Sequence, residues 1–389
     1  QNSVESKLAS SVWSVTRGCR DLAISMIRDN HALTRAFKQR YRRAIKKKGL
    51  IRKRVDAYIW RRSCLVASDK ATRIHNAWIM KADLVFTYVN GSRFSTVRKN
   101  NEKDRPINIE ALLNVLVQRE IGVGLRDLLK KELDVDLLSL ATTHKERVSQ
   151  RVSTIDLANA SDSILLELCE FLFPRGFLRL LKESRSEFIL GLDGDFHPLR
   201  KVSAMGNGFT FELMSFILNT LVRVYDEKGT VFGDDIIIDN SFAKDLIVDL
   251  ESVGFVVNRD KSFINSDFRE SCGAHFHEEH GYLKSFDFEY PNSIGDCVNI
   301  FNKCVALSEF QAFSHLASLL KRSIPPALRG GQAPNWSRIN AVPSIQLPPY
   351  FTCGTGKVVG RQSYSRLFEG YHRGSEKFTT FIGWEFKSK

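Results

Sequence analysis

Apolar positions recur at helical spacing through the first 90 residues: Leu22, Met26 and Ile27 share a face, and Phe37, Tyr41, Ile45, Tyr58 and Trp60 continue the pattern between charged positions. From Arg151 onward the pattern changes often enough to predict separate elements. Residues 152–156 predict a short buried strand. Residues 163–173 predict a helix, with Ser161 or Asp162 as N-cap and Pro174 as its stop. Asp193-Gly194 is a hairpin signal. A strongly apolar helix is predicted over 209–225, entered through Gly206-Asn207-Gly208, and 230–238 predicts two strands folded about Gly233-Asp234-Asp235. Ser241 should cap a third helix with Phe242, Leu246, Leu250 and Val253 on one face and Gly254 just past its end; a strand at 255–257 follows. The order strand, helix, helix, hairpin, helix, strand predicts an α+β fold with a ferredoxin-like antiparallel sheet. Beyond Tyr290 the pattern weakens to a helix over 304–320, a Pro/Gly-rich connection over 325–349 and an aromatic-rich tail.

Composition adds one feature. With 43% hydrophobic and 26% charged residues the 389-residue chain is neither disordered nor fibrous nor a membrane bundle, yet it carries a net charge of +13. Thirteen Lys/Arg and a single acid, Asp56, lie between Arg35 and Arg62, so the remainder of the chain is nearly neutral. Cations interleaved with aromatics suit phosphate contact and base stacking, which makes Arg40, Arg42, Arg43, Lys46, Lys47, Lys48, Arg52, Lys53 and Arg54 candidate nucleic-acid contacts. A sparser basic stretch at Arg98, Lys99, Lys103 and Arg105 reads as a loop. Seven scattered cysteines without a CxxC pair argue against a disulfide framework and for a reducing compartment. No run of about 18 apolar residues and no secretory signal is present, so a cytoplasmic protein without membrane contact is expected. The chain opens on Gln1 rather than Met, as a processed chain or a piece of a longer one would.

Candidate chemistry lies outside the basic run. Asp156 ends the first predicted strand, and Asp234 and Asp235 occupy the tip of the hairpin; in a ferredoxin-like sheet these strands are central neighbours. Carboxylates so placed repel unless a cation sits between them, and hard oxygen ligands on a sheet edge suit Mg²⁺. Two ions ~3.5–4 Å apart could then serve phosphoryl transfer. Taken alone, Gly-Asp-Asp is more often an ordinary turn. Cys272, His275, His277 and His280 are too tightly spaced for most tetrahedral zinc sites and are set aside.

Three strings change the balance. Ser153-Thr154-Ile155-Asp156-Leu157-Ala158-Asn159-Ala160-Ser161-Asp162-Ser163, Ser203-Ala204-Met205-Gly206-Asn207-Gly208-Phe209-Thr210-Phe211-Glu212 and Val231-Phe232-Gly233-Asp234-Asp235, in that order, resemble motifs A, B and C of RNA-dependent RNA polymerases, and most of all those of the replicase beta subunits of single-stranded RNA bacteriophages, the levivirus or Qβ replicase family. Residues 99–105 resemble motif F, 253–261 motif D and 268–273 motif E, so the resemblance runs from about 96 to 275. Phe232 stands where many relatives have Tyr, and Ala158 where the phage group often has Ser.

The resemblance implies a right-hand polymerase with an RRM-like palm. Its expected layout is a basic helical segment at 1–90, fingers with motif F at 91–151, palm at 152–163 and 204–290, a fingers insertion at 164–203, and thumb and tail at 291–389. It implies that Asp156, Asp234 and, less directly, Asp235 ligate two Mg²⁺ ions, with Mn²⁺ able to substitute, and that Lys261 donates a proton to pyrophosphate. Lys99, Lys103 and Arg105 would neutralise the triphosphate. Asp162, Asn207 and Ser203 would contact ribose hydroxyls, beside a loop opened by Gly206. Implied partners are template and product RNA, ribonucleoside triphosphates, host elongation factors Tu and Ts and a small-subunit ribosomal protein, in the cytoplasm of an infected bacterium. Two rivals are a reverse transcriptase and a non-catalytic RNA-binding or packaging protein with a degenerate palm.

Overall fold

In order along the chain come β1 (Ser14–Thr16), α1 (Arg20–Asp29), α2 (His31–Lys47), α3 (Arg52–Val66), α4 (Lys70–Ala82), β2 (Thr87–Val89), β3 (Ser92–Arg98), β4 (Asp104–Ile109), α5 (Leu112–Leu133) and α6 (Leu140–Arg147). Next are β5 (Val152–Ile155), β6 (Leu157–Ala158), a 3₁₀ turn (Ala160–Ser163), α7 (Leu166–Leu172), α8 (Arg175–Ser184), β7 (Phe188–Leu190), β8 (Phe196–Pro198), α9 (Thr210–Tyr225), β9 (Thr230–Phe232) and β10 (Asp235–Asp239). The series closes with α10 (Ala243–Ser252), β11 (Val256–Val257), β12 (Phe268–Ser271), β13 (Ala274–His277), β14 (Gly281–Leu283), α11 (Ile294–Ala306) and α12 (Gln311–Ser323). This computed structural model describes residues 11–98, 104–283, 291, 294–306 and 311–324. The chain divides into one unit of Gln1–Val97 and Arg105–Leu283 and a second of Arg98–Asp104 and Lys284–Lys389.

The mixed α+β character matches expectation. At its centre β5, β10 and β9 form an antiparallel sheet in that order, with Ile155 opposite Ile236 and Phe232 opposite Asp235. The three consecutive isoleucines of β10 explain its central place: Ile236 and Ile238 enter the main core, whereas Ile237 packs on the other face with Val148 and Val152. A strand buried on both faces needs a continuous apolar run rather than alternation. Helix α9 lays Leu213, Ile217, Leu218 and Val222 into the same core, joined by Leu246 and Leu250 of α10.

The N-terminal helices build a second core, in which Trp13, Ile24, Ile27, Phe37, Tyr41, Ile45 and Ile59 pack against Leu113 and Val117 of α5. Phe37, Tyr41 and Ile45 are therefore structural and not available for base stacking; of the aromatics in the basic run, Tyr58 and Trp60 are exposed, at 59% and 45%. Leu125, farther along α5, belongs to the main core, so one helix stitches both together.

Several boundaries differ from expectation for local reasons. The helix after Asp156 starts at Leu166 rather than 163, because the chain first makes the 3₁₀ turn from Asn159 at φ +52, and neither Ser161 nor Asp162 caps it. Ser241 caps nothing either, since its N–H and hydroxyl both bond Asp239 Oδ1. Gly254 does lie just past α10. Arg98 and Arg105 stand on strands β3 and β4 rather than in a loop, while Lys99 and Lys103 lie outside the described residues. In the second unit, α11 and α12 pack on one another around Val298, Phe301, Cys304 and Ala317, two helices where one was expected over 304–320. Among the described residues no helix is long and apolar enough to cross a membrane.

Candidate active site

Asp156 stands where one ladder hands over to another. β5 pairs with β10, but the next two residues, Leu157 and Ala158, pair with β11, and Asp156 itself sits between the two ladders. Its N–H donates to Ser262 Oγ at 3.1 Å, and Asn258 Nδ2 donates to its Oδ2 at 2.8 Å. The break turns the side chain out of a fully buried strand and leaves Oδ1 without a hydrogen bond among the described residues.

The facing hairpin is fixed from α9. Ser215 Oγ accepts the Gly233 N–H at 3.0 Å, and the Asn219 amide gives and takes a bond with the Val231 backbone, acting as a substitute strand beside β9. Gly233 is required at the turn: φ is +67, and a Cβ there would stand 2.9 Å from the Phe211 ring. The register sets Asp235 across from the end of β5, and Asp234 is exposed at the tip. Asp234 accepts no hydrogen bond among the described residues. Asp235 Oδ2 accepts the backbone N–H of Cys272 at 3.1 Å, from the β12–β13 turn. Arg269 locks that hairpin in place: buried, it donates to the carbonyls of Val148 and Ser266 and to Glu278.

The charge of Asp234 acts on both of the other acids. Burial, then the charge of Asp234, pushes Asp235 up to about 6. Burial also raises Asp156; the Asn258 bond opposes the shift, the Asp234 charge adds to it and the cation of Lys261 offsets part of it. Their oxygens are not gathered as tightly as the potential ligand atoms of His277, Glu279 and His280, which lie within 4.8 Å of one another among the described residues. Of the four residues weighed for zinc, only His277 and His280 belong to that cluster among the described residues, while the Cys272 N–H bonds Asp235 and His275 pairs with Glu270, so the set of four does not assemble. Carboxylates held by at most one hydrogen bond, each with an oxygen to spare and set near one another, fit a hard divalent cation.

The repulsion gives a test. Asp235→Asn, with chelator present, should raise the unfolding free energy at pH 7.5 by about 2 kcal/mol in denaturant titrations. An aspartate whose folded pKa lies near 6 loses stability as pH rises from about 4 through 6, so the gain should vanish at pH 4. An unchanged pH profile would rule out electrostatic strain at Asp235.

The remaining candidates divide. Asp162 is part-exposed and its Oδ1 accepts from Lys201 Nζ at 2.7 Å. Asn207 donates from Nδ2 to Glu110 Oε1 at 3.2 Å, and Gly206, at φ +111, lies against the backbone of Asn108. Ser203 is fully buried and donates its hydroxyl to Thr210, so the structure keeps it inside rather than on the surface with Asp162. Arg105 and Lys261 are exposed. Arg40 turns inward over the Trp13 ring at 5.2 Å and donates to the Ser11 carbonyl, unlike the exposed Arg42, Arg43, Lys46, Lys47, Lys48, Arg52, Lys53 and Arg54. Arg42, Lys46 and Arg52 line a groove of about 440 Å³ at the α2–α3 connection. Sequence reasoning missed Lys201, Glu110, Asn258 and the Cys272 N–H; of these Asn258, inside the motif D string, and Cys272, inside the motif E string, carried a signal.

A family model described as RNA replicase, beta-chain, matches residues 37–289. The chain is 40% identical over 192 residues to the RNA-directed RNA polymerase subunit beta of Escherichia virus Qbeta, covering 47% of this chain and 33% of that protein. It is 40% identical over 209 residues to the corresponding subunit of Enterobacteria phage SP, covering 50% and 36%, and 34% identical over 226 residues to the beta chain of Escherichia phage MS2, covering 56% and 41%. The matched region is thus well under half the length of these relatives.

Proposed function

The chain belongs to the RNA replicase beta-chain family, and from that premise we propose that it carries the catalytic centre of an RNA-templated RNA polymerase. The observation that supports the reading is the register of β5 against β10, which brings Asp156 and the Asp234-Asp235 pair to the same end of the central sheet, within range of one another's charge. In the layout we assign, β5, β9 and β10 with α9 and α10 form the palm of a right hand, the helices before it belong to the fingers and α11 and α12 to the thumb. Two Mg²⁺ ions, with Mn²⁺ as a substitute, would be held by Asp156, Asp234 and the free oxygen of Asp235. When bound, they supply charge neutralisation at the transferring phosphoryl group and a more acidic attacking hydroxyl.

The rest falls to the chain's own residues. Asn258 orients Asp156, and the Cys272 N–H orients Asp235, so neither carboxylate has to be ordered at the moment of reaction. Lys261, exposed and near enough to Asp156 to offset part of its shift, would hand a proton to the departing pyrophosphate. Arg105, with Lys99 and Lys103, neutralises the triphosphate. Asp162 and Asn207 read the ribose, which separates this site from a reverse transcriptase, where a bulky side chain excludes the 2′-hydroxyl. Intact aspartates argue against a degenerate palm. Host elongation factors, the ribosomal protein and a cytoplasmic site of action remain implications of the family.

The test is templated incorporation of labelled ribonucleotides, with Mg²⁺ and with chelator. Incorporation independent of template or of divalent metal would overturn the reading.

The exposed cations of α2 and α3 form a separate surface that we assign to guiding RNA. Replacing Lys46, Lys47, Lys48, Arg52 and Lys53 with Gln should weaken RNA binding and reduce the slope of log K against log salt by up to about 3.5, from about 0.7 per lost single-strand phosphate contact. Turnover on an already bound primer and template should largely survive. An unaltered slope would remove RNA from this surface.

A further inference from the structure

Each of the two side chains assigned to ribose is held by a neighbour. The 200–202 segment is zipped onto 164–166: Leu166 N–H donates to the Arg200 carbonyl and Val202 N–H to the Ile164 carbonyl, both at 2.8 Å, with Leu165 and Lys201 paired between them. This roots Lys201 beside Asp162, and its ammonium takes Oδ1 at 2.7 Å. Among the described residues the other oxygen, Oδ2, accepts nothing.

Asn207 is held by a buried acid. Glu110 Oε2 accepts the Ser186 hydroxyl at 2.6 Å, while Oε1 accepts the Ser186 N–H at 3.3 Å and Asn207 Nδ2 at 3.2 Å. Whether Glu110 is ionised or carries a proton on Oε2, Oε1 can only accept. The amide must therefore turn its NH₂ toward Glu110, since the reverse would set two oxygens against each other. Asn207 Oδ1 is left enclosed and without a partner. An unpaired buried carbonyl costs about 1–3 kcal/mol, and such an atom marks where a donor is missing.

We propose that Lys201 and Glu110 are positioning residues that make the ribose subsite an acceptor-only surface, formed by Asp162 Oδ2 and Asn207 Oδ1. The proposal rests on the polymerase reading and adds a chemical requirement to it: the sugar has to donate. A 2′-hydroxyl donates. A 2′-fluorine is close to it in size but can only accept, so a 2′-fluoro nucleotide meets the same unpaired oxygens as a 2′-deoxy nucleotide. A subsite that offered a donor would tolerate fluorine. Because Oδ1 is enclosed, the ribose reaches it by displacing what covers it while the Asn207–Glu110 bond stays in place.

The experiment compares kcat/KM for a ribonucleotide, its 2′-deoxy form and its 2′-fluoro form on one RNA template. The ratio between substrates does not depend on how much of a variant is folded, so a merely structural defect leaves it unmoved. The parent should reject both analogues by similar factors, on the order of 10²–10⁴. Lys201→Met and Glu110→Ala should each compress that rejection about tenfold or more. Lys201→Arg still donates to Asp162, and Glu110→Gln still presents Oε1 to Asn207, so both should stay within about threefold of the parent. A parent that uses the fluoro nucleotide as well as the natural one overturns the proposal, as do parent-like ratios in both Lys201→Met and Glu110→Ala. A parent without templated incorporation overturns the polymerase reading and this proposal with it. An active parent with unchanged ratios overturns the proposal alone.

Discussion

Asp234→Asn is expected to lower templated ribonucleotide incorporation on the order of 10³-fold while leaving the thermal unfolding midpoint where it was. The two halves of that expectation come from the same fact. Asp234 is exposed at the hairpin tip and accepts no hydrogen bond among the described residues, so the fold has no use for its charge. Its neighbours do register it: the charge raises both Asp235 and Asp156. A carboxylate kept where it repels two others, with no structural partner, is best explained by a cation that all three share. Asn has the same shape and could still accept from a turn N–H, yet it brings no charge to that cation. Asp235→Asn should be milder, because Asp235 already gives one oxygen to the Cys272 N–H and has only the other for a metal. Parallel incorporation and melting measurements on both variants decide it. Parent-level incorporation by Asp234→Asn would sink the catalytic assignment, and a large drop in its melting midpoint would show that the tip is structural.

The central hairpin was legible because its cause is local: an unbroken Ile236-Ile237-Ile238 run can only be a strand buried on both faces, and Gly233 can only be the turn before it. The pairing of Asp156 with that hairpin followed from topology, not from any residue near Asp156. What stayed hidden was contact between distant side chains. Asp162 looked like a helix cap because the polar string around it suits one, but Lys201, 39 positions away, takes the carboxylate instead. Ser203 looked available until Thr210 took its hydroxyl. The basic run misled in a different way. A helical stripe of Phe37, Tyr41 and Ile45 has the same period whether it faces bases or a core, and only the presence of Leu113 and Val117 on α5 decides. Arg40 apart, the cations between those residues face outward because the stripe faces in.

Gly206→Ala should cost about 3–5 kcal/mol and take activity with it, although the substitution adds a single methyl group. Two independent penalties meet at this residue. Its φ of +111 is a conformation that a side-chain-bearing residue rarely adopts, and the added Cβ would stand 2.1 Å from the Asn108 carbonyl oxygen. That oxygen belongs to backbone rather than to a side chain able to swing away, and the Asn108 N–H already donates to the Met205 carbonyl at 2.7 Å, so the two segments are pinned together beside the clash. Relief requires the 206–208 loop to move off β4. Asn207, next in the chain, would then lose Glu110, and Gly208 N–H would lose Gln118 Oε1. The glycine string ahead of α9 is thus explained by the approach of the protein's own backbone, which fixes where the Asn207 amide stands. Gly208 behaves alike, since a Cβ there would stand 2.8 Å from the Val115 carbonyl oxygen. Gly254→Ala is the control: it shares a positive φ, +97, but its Cβ would meet nothing within 4 Å, so it should bear only the conformational part, about 1–2 kcal/mol, and keep its activity. Denaturant titration and templated incorporation on the two alanine variants separate backbone strain from loop displacement, and equal losses in both would refute a clamped loop at 206–208.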